Sequence, residues 1–276
     1  MQMQSNAATA HVTANEVGRF TVADGALRLP AANATIAEMM SHVPLFAHAR
    51  VERVLVLGGC HSLVVEVLKH AGVHSVVRVH SQLSVPPLAD ARFSSQVADV
   101  SDYLAGTHQR FDLILADLPR EAGSHIPGVT KQTLRDARGC LNVGGLMIAR
   151  LGMPYVQPRE FAADMRNFAA VFSSVAPYLV SAPELRGGPV AIGWGSNSVR
   201  PNERPLDVLT ARFELAGFET RYYTPEVHRA AFALSRDIGV LFRAASCSRE
   251  ERGLSLLQAA ELEKRTQGSR DGWHPI

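Results

Sequence analysis

The sequence contains few cysteines, and their spacing does not suggest a metal or disulfide framework. Cys60, Cys140 and Cys247 lie far apart in a chain of 276 residues, and none belongs to a C-x-x-C pair. Structural zinc sites and small disulfide scaffolds need closely spaced cysteines. We therefore expect reduced thiols and no metal site.

Long apolar runs and long basic runs are also missing. No stretch of eighteen apolar residues occurs, so no membrane-spanning helix is predicted. Residues 1–14 lack the charged and apolar regions of a secretory signal, which predicts a cytoplasmic protein. The net charge is only +2 and no run of five or six basic residues occurs, so nucleic acid is not an expected partner.

What the chain does contain is enough apolar sequence for a large core. Apolar residues make up 46% of the chain, which suits one main domain with short additions. We predict a short N-terminal β segment over residues 1–32, the main domain over 33–245 and a polar C-terminal tail over 246–276. Within the first segment, Gly18 to Leu29 predicts a hairpin, because Asp24-Gly25 supplies the backbone conformation of a tight turn.

From Arg50 onward, short apolar runs alternate with amphipathic segments. This alternation is typical of a parallel sheet covered by helices on both faces. The predicted fold is therefore α/β and Rossmann-like, with a mostly parallel sheet. The segments are 51–57, 63–70, 75–80, 93–97, 111–116, 130–140, 145–150, 158–171, 175–180, 190–194 and 205–216. Residues 82–92 predict an irregular crossover, because Pro86-Pro87 block a regular helix.

Four motifs carry a resemblance to a known family. They are Glu38–Leu45 (EMMSHVPL), Val54–Gly59 (VLVLGG), Phe111–Asp117 (FDLILAD) and Tyr222–Leu234 (YYTPEVHRAAFAL). In this order they resemble the spermidine synthases over roughly residues 17–245. The resemblance implies a methyltransferase-type fold and a homodimer. It also implies transfer of an aminopropyl group from decarboxylated S-adenosylmethionine to putrescine, with methylthioadenosine as the second product and no tightly bound cofactor.

Ligands of open parallel sheets bind beyond the carboxyl ends of the strands. Gly58, Gly59, Cys60 and His61 stand there, at the position of the family's G-G-G-D-G loop. The resemblance makes these four residues the expected donor-binding loop. The two glycines are retained, but Cys60 replaces the third glycine. His61 replaces the aspartate that holds the amine end of the donor in the family.

Two further donor-binding residues are expected at the next strand ends. His80 stands where the family places a glutamate that accepts hydrogen bonds from two ribose hydroxyls. A neutral imidazole has one acceptor nitrogen, so we expect weaker ribose binding. Asp99 matches a family acid that contacts the adenine, although an aspartate there is also a common helix cap.

The expected reaction centre follows the strand ending at Ala116. The family has D-x-x-D here, and this chain has Asp117-Leu118-Pro119-Arg120. Asp117 is the candidate catalytic residue, as a general base or amine-orienting group. Arg120, Arg150 and Leu185 are the candidate substrate-binding residues, and they replace an aspartate, a glutamine and a tyrosine of the family.

These replacements predict a degenerate active site. A like charge about 4 Å from a substrate ammonium costs about 4 kcal/mol at an effective dielectric of about 20, so Arg120 alone could abolish putrescine binding. We therefore expect a non-catalytic or repurposed paralogue, which pairs with an active synthase or binds an anion between Arg120 and Arg150. The alternative is an active aminopropyltransferase that uses Asp117 with putrescine or another acceptor. Each of these basic residues also has an ordinary structural or solvent-exposed interpretation.

Overall fold

The computed structural model describes residues 11–12, 20–23, 26–28, 32–81, 88–118, 129–182 and 188–246. Arg120, Leu185, residues 82–87 of the predicted crossover and the tail from 247 onward lie outside this part of the chain. Residues 88–92 of the crossover are not helical. Among the described residues, no helix is both long and apolar enough to cross a membrane.

A seven-stranded sheet forms the centre of the protein, with the strand order β6-β5-β4-β7-β8-β10-β9. The pairs from β6 to β8 are parallel, whereas β10 runs antiparallel to both β8 and β9. This arrangement confirms the predicted Rossmann-like, mostly parallel α/β fold. The strands are β4 (Arg53–Gly58), β5 (Ser75–His80), β6 (Phe93–Val97), β7 (Phe111–Asp117), β8 (Leu141–Arg150), β9 (Ser174–Val180) and β10 (Val190–Ser196).

Eight helices are found among the described residues. They are α1 (Ala32–Ala47), α2 (His61–Leu68), α3 (Val100–Gly106), α4 (Lys131–Gly139), α5 (Pro158–Ala169), α6 (Leu206–Ala216), α7 (Pro225–Ala231) and α8 (Arg236–Ser246). Helix α3 was not among the predicted segments. Its boundary is set by Asp99, whose side chain accepts hydrogen bonds from the first-turn amides.

A small antiparallel sheet precedes the main one. It consists of β1 (His11–Val12), β2 (Phe20–Ala23) and β3 (Ala26–Arg28). Ala23 pairs with Ala26, so β2 and β3 are joined by a two-residue connection, which confirms the predicted hairpin. The connecting residues, Asp24 and Gly25, lie outside the described residues.

The core has two halves because alternate side chains of a strand point to opposite faces of the sheet. Val54 and Val56 of β4 face the cluster that includes α1 and α2. Leu55 and Leu57 face the cluster that includes α4 and α5. All four side chains are fully buried.

A buried carboxylate joins the first and last family motifs. Glu38 of α1 is 3% exposed and accepts hydrogen bonds from the backbone amides of residues 221, 222 and 223, at 2.8–3.2 Å. These amides have no strand or helix partner of their own, so the carboxylate satisfies them. Glu38 thereby fixes the position of residues 221–223, which lead into α7.

Candidate functional site

The turn after β4 favours glycine at two positions. Gly58 has φ = 70° and Gly59 has φ = 69°, a backbone conformation that favours glycine. A Cβ on Gly58 would lie 2.7 Å from the carbonyl oxygen of Asp117. The amide of Gly59 donates a 2.9 Å hydrogen bond to that same oxygen. The predicted donor loop is therefore tied directly to the predicted reaction centre.

Cys60 and His61 form the junction between this turn and α2. Cys60 is the N-cap residue, and its side chain makes no capping hydrogen bond. His61 is the first residue of α2 and lines a groove of about 460 Å³ between α1, α2 and residues 219–221. The groove is lined by carboxylates, such as Glu38 and Glu66, as well as by the cation Lys69. Its remaining lining residues from the two helices are Ala34, Ser62 and Val65.

Arg78 supports the predicted donor loop from the neighbouring strand, a role that was not predicted from the sequence. Its side chain is 4% exposed. Its Nε donates a 3.0 Å hydrogen bond to the carbonyl oxygen of Gly58, and its Nη2 donates to that of Gly59. Burial lowers the pKa of the guanidinium, while the nearby Cys60 and Asp117 act in the opposite direction. An arginine inside the run VVRV was the available signal.

His80 lies at the carboxyl end of β5 and is 5% exposed. Its Nε2 is 2.7 Å from the hydroxyl oxygen of Ser95 on β6. Its Nδ1 is enclosed by the protein and has no hydrogen-bond partner. His80 therefore faces a neighbouring strand rather than bulk solvent.

Asp99 occupies the end of the next strand, beyond β6. Its Oδ1 accepts hydrogen bonds from the amides of Ser101 and Asp102, at 2.8 and 3.2 Å. The residue is exposed. The capping role accounts for one oxygen of the carboxylate. Adenine contact stays a prediction.

Asp117 and Arg150 form the polar centre of this edge of the sheet. They end β7 and β8, which are adjacent parallel strands. Arg150 Nη1 lies 3.4 Å from Asp117 Oδ1, with the side chains 28% and 16% exposed. Arg150 thus points along the sheet edge toward the predicted reaction centre.

The described part of the site brings together four of the predicted residues. Gly58, Gly59 and Asp117 are in direct contact, and Arg150 joins them through Asp117. Arg120 and Leu185 lie outside the described residues. Within the described ranges, no group of three or more His, Cys, Asp or Glu side chains could hold a metal ion.

The fold defines a class, namely α/β proteins with a mostly parallel, Rossmann-like sheet, whose ligands generally bind beyond the carboxyl ends of the strands. Residues 34–204 match the family described as the spermine/spermidine synthase domain. The polyamine aminopropyltransferase of Ruegeria sp. (strain TM1040) is 36% identical over 219 residues, covering 74% of this chain and 77% of that protein. The chain belongs to the spermine/spermidine synthase family.

A second relative agrees with this assignment, and two solved structures share the fold. The polyamine aminopropyltransferase of Salmonella paratyphi B is 31% identical over 232 residues, covering 79% of this chain and 81% of that protein. The crystal structure of spermidine synthase from Thermotoga maritima matches with a TM-score of 0.68 at 22% identity, covering 83% and 81% of the two chains. A spermidine synthase bound to the transition-state analogue AdoDATO also matches with a TM-score of 0.68, at 21% identity. At these identities the two structures support the fold alone.

Proposed function

We propose that this protein is an aminopropyltransferase that moves the aminopropyl group of decarboxylated S-adenosylmethionine to an amine acceptor. The observation that carries the proposal is the contact between Asp117 and the Gly58-Gly59 turn, where the Gly59 amide bonds the Asp117 carbonyl oxygen at 2.9 Å. This contact holds the backbone of Asp117, and with it the base of the carboxylate side chain, beside the predicted donor loop. The 36% identity to a polyamine aminopropyltransferase supports the same activity.

The reaction mainly requires that the donor and the acceptor are positioned correctly and that the acceptor amine is unprotonated. The lone pair of the acceptor nitrogen forms a bond to the aminopropyl carbon that is attached to the sulfonium sulfur, and the bond between that carbon and the sulfur breaks. The sulfur keeps that electron pair and becomes the neutral thioether of methylthioadenosine. The Asp117 carboxylate would orient the amine and accept the proton that the new ammonium loses. The backbone of Gly58 and Gly59 would bring the donor within reach.

The acceptor is the part of the proposal where this chain departs from its family. Arg150 already contacts the Asp117 carboxylate, so a diammonium acceptor would meet a fixed cation beside its amine. Putrescine is therefore a poorer acceptor here than an amine that carries a neutral or acidic group. Such an amine could bind Arg150 through that group.

One observation favours a second candidate, a non-catalytic or anion-binding paralogue. Two guanidiniums, from Arg150 and Arg78, act on the same carboxylate. This concentration of positive charge favours an anion over the positively charged donor. In that case the protein would keep the fold, with or without an active partner subunit, and would not transfer an aminopropyl group. A homodimer stays a prediction under both functions.

Product analysis separates the two candidates. The purified protein is incubated with decarboxylated S-adenosylmethionine and, in turn, putrescine, a monoamine and an amino acid with a side-chain amine. Chromatography then measures methylthioadenosine. We expect acceptor-dependent product, reduced about 100-fold or more by Asp117→Asn and unchanged by Asp207→Asn, an exposed site on α6. No product with any amine would reject the proposal in favour of the second candidate.

A further inference from the structure

A buried cation lies against the Gly58-Gly59 turn. Arg78 is 4% exposed, and its side-chain hydrogen bonds go to the carbonyl oxygens of Gly58 and Gly59 rather than to a carboxylate. Buried arginines are commonly paired with an acid. Carbonyl oxygens carry only partial negative charges, so they bind the guanidinium without neutralising it. The turn is therefore accompanied by a fixed positive charge.

The strand pairing explains how this charge reaches the ligand-binding edge. Arg78 of β5 pairs with Val56 of β4 in parallel register, so the two side chains lie on the same face of the sheet. Gly58 is two residues farther along β4, which is about 7 Å closer to the carboxyl edge. The long side chain of Arg78 covers this distance and contacts the turn. The guanidinium therefore lies near the carboxyl edge, although the backbone of Arg78 lies within the sheet.

The described acids near the turn do not cancel the charge of Arg78. The carboxylate of Asp117 acts on Arg78, but it also lies 3.4 Å from Arg150, so one carboxylate faces two guanidiniums. Glu66, in the adjoining groove, is already 2.7 Å from a lysine ammonium of the same helix. Asp99 follows β6, two strands away from β4, and is exposed to water, which screens its charge. The described surroundings of the turn therefore carry an excess of positive charge.

We propose that Arg78 is a specificity-determining residue, which makes the donor site bind a neutral thioether nucleoside more tightly than the corresponding sulfonium. The inference rests on the proposed function, because it takes the Gly58-Gly59 turn as the binding site of the donor. A sulfonium carries a fixed positive charge, whereas the thioether that remains after aminopropyl transfer carries none at sulfur. At a separation of about 10 Å and an effective dielectric of about 20, one unit charge changes the affinity for another about tenfold. Arg78 acts through this repulsion and needs no direct contact with the ligand.

Calorimetry with a matched pair of probes tests this inference. The probes are decarboxylated S-adenosylmethionine and the thioether obtained by removing its methyl group, which differ in one methyl group and in the charge at sulfur. The wild type should bind the thioether about tenfold more tightly. Arg78→Gln should reduce this ratio to about twofold or less, because binding of the sulfonium improves. Arg53→Gln, at an exposed position of β4, is the matched control and should keep the wild-type ratio.

The ratio of the two affinities separates a role of the charge from a merely structural role. If Arg78 only supported the turn, Arg78→Gln would weaken both probes alike and keep the ratio, which would overturn the inference.

A measurement on the wild type alone needs no variant. Because Arg78 is buried, salt screens its charge only weakly, so the preference for the thioether should persist from about 0.1 M to about 1 M sodium chloride. Equal binding of both probes, or a preference that disappears at high salt, would overturn the inference and leave the proposed function standing. A folded wild type that binds neither probe would overturn the proposed function as well.

Discussion

The guanidinium of Arg150 lies 3.4 Å from the carboxylate of Asp117, at the carboxyl ends of two adjacent parallel strands. The carboxylate of Asp117 would therefore take part in two competing interactions, one with Arg150 and one with an acceptor amine. Asp117 is the group that an attacking amine would need, and it already has a cationic neighbour. Under the proposed function, the balance between these two interactions would decide which amine serves as the acceptor.

Replacing Arg150 should make a diamine a better acceptor. Arg150→Gln removes the cation beside Asp117, so putrescine-dependent formation of methylthioadenosine should rise about tenfold; partial exposure of the pair limits the gain. Arg159→Gln, at an exposed position of α5, is the matched control and should change nothing. Unchanged putrescine turnover in Arg150→Gln would show that Arg150 does not limit acceptor binding.

Gly58→Ala should destabilise the protein. The new Cβ would lie 2.7 Å from the Asp117 carbonyl oxygen, at a backbone φ of 70°, so we expect a loss of about 2–3 kcal/mol in the free energy of unfolding. Urea denaturation measures it. Gly106→Ala is the control, because no heavy atom lies within 4 Å of its Cβ position. Equal stability of Gly58→Ala and the wild type would contradict the tight packing of the turn.

Arg78→Met should loosen the Gly58-Gly59 turn, the predicted donor loop. Methionine keeps much of the apolar stem but donates no hydrogen bond to the carbonyl oxygens of Gly58 and Gly59. We expect a loss of about 1–3 kcal/mol in stability and faster hydrogen exchange at the amides of residues 59–62. Arg53→Met, on the exposed end of β4, should leave both quantities close to wild type. Unaltered exchange in Arg78→Met would mean that the loop does not depend on this side chain.

Stability should fall with acid below about pH 6.5. Burial, together with the charges of His42 and Lys69, lowers the pKa of His70 to about 3. Burial and Arg229 lower the pKa of His228 to about 4. The unfolded chain binds these protons at higher pH than the folded chain does, so protonation favours unfolding. At pH 5 each histidine should cost about 2 kcal/mol relative to pH 7.5.

Denaturation at both pH values checks this expectation. His228→Gln should reduce the difference between pH 7.5 and pH 5 by about half, because one of the two titrating groups is removed. His74→Gln, at an exposed position, is the control and should retain the full difference. A pH-independent free energy of unfolding in the wild type would contradict the burial of both histidines in neutral form.

Most strands could be predicted well because their apolar runs are continuous. The bounds of β5 agree with the predicted 75–80. Those of β6 agree with the predicted 93–97, although its sequence FSSQV is mostly polar. The start of β8 could not be predicted, because Gly144-Gly145 breaks the apolar pattern. In the structure, β8 continues through both glycines from Leu141, with Gly144 at φ = 85°. Residues 141–144 of β8 were therefore not predicted, because the glycine pair interrupts the apolar pattern.

The site was harder to predict because its contacts depend on register between strands. The sequence pointed to His80 and Asp117 as strand-end residues, and both lie at such ends. The partners Ser95 and Arg78 lie within strands, where a polar side chain gives no indication of what it will contact. The Ser95–His80 contact follows only from the pairing of β5 with β6. The sequence shows which site residues differ from those of the family, but it does not show which residues they contact.

Isotope transfer is the most direct test of the proposed activity. Decarboxylated S-adenosylmethionine labelled in its aminopropyl carbons is incubated with the wild-type protein and an amine acceptor, and mass spectrometry follows the label. We predict that the label appears in the acceptor amine, and that Asp117→Asn suppresses this transfer. Label that remains in the donor with every acceptor, in a folded wild-type sample, would contradict the account.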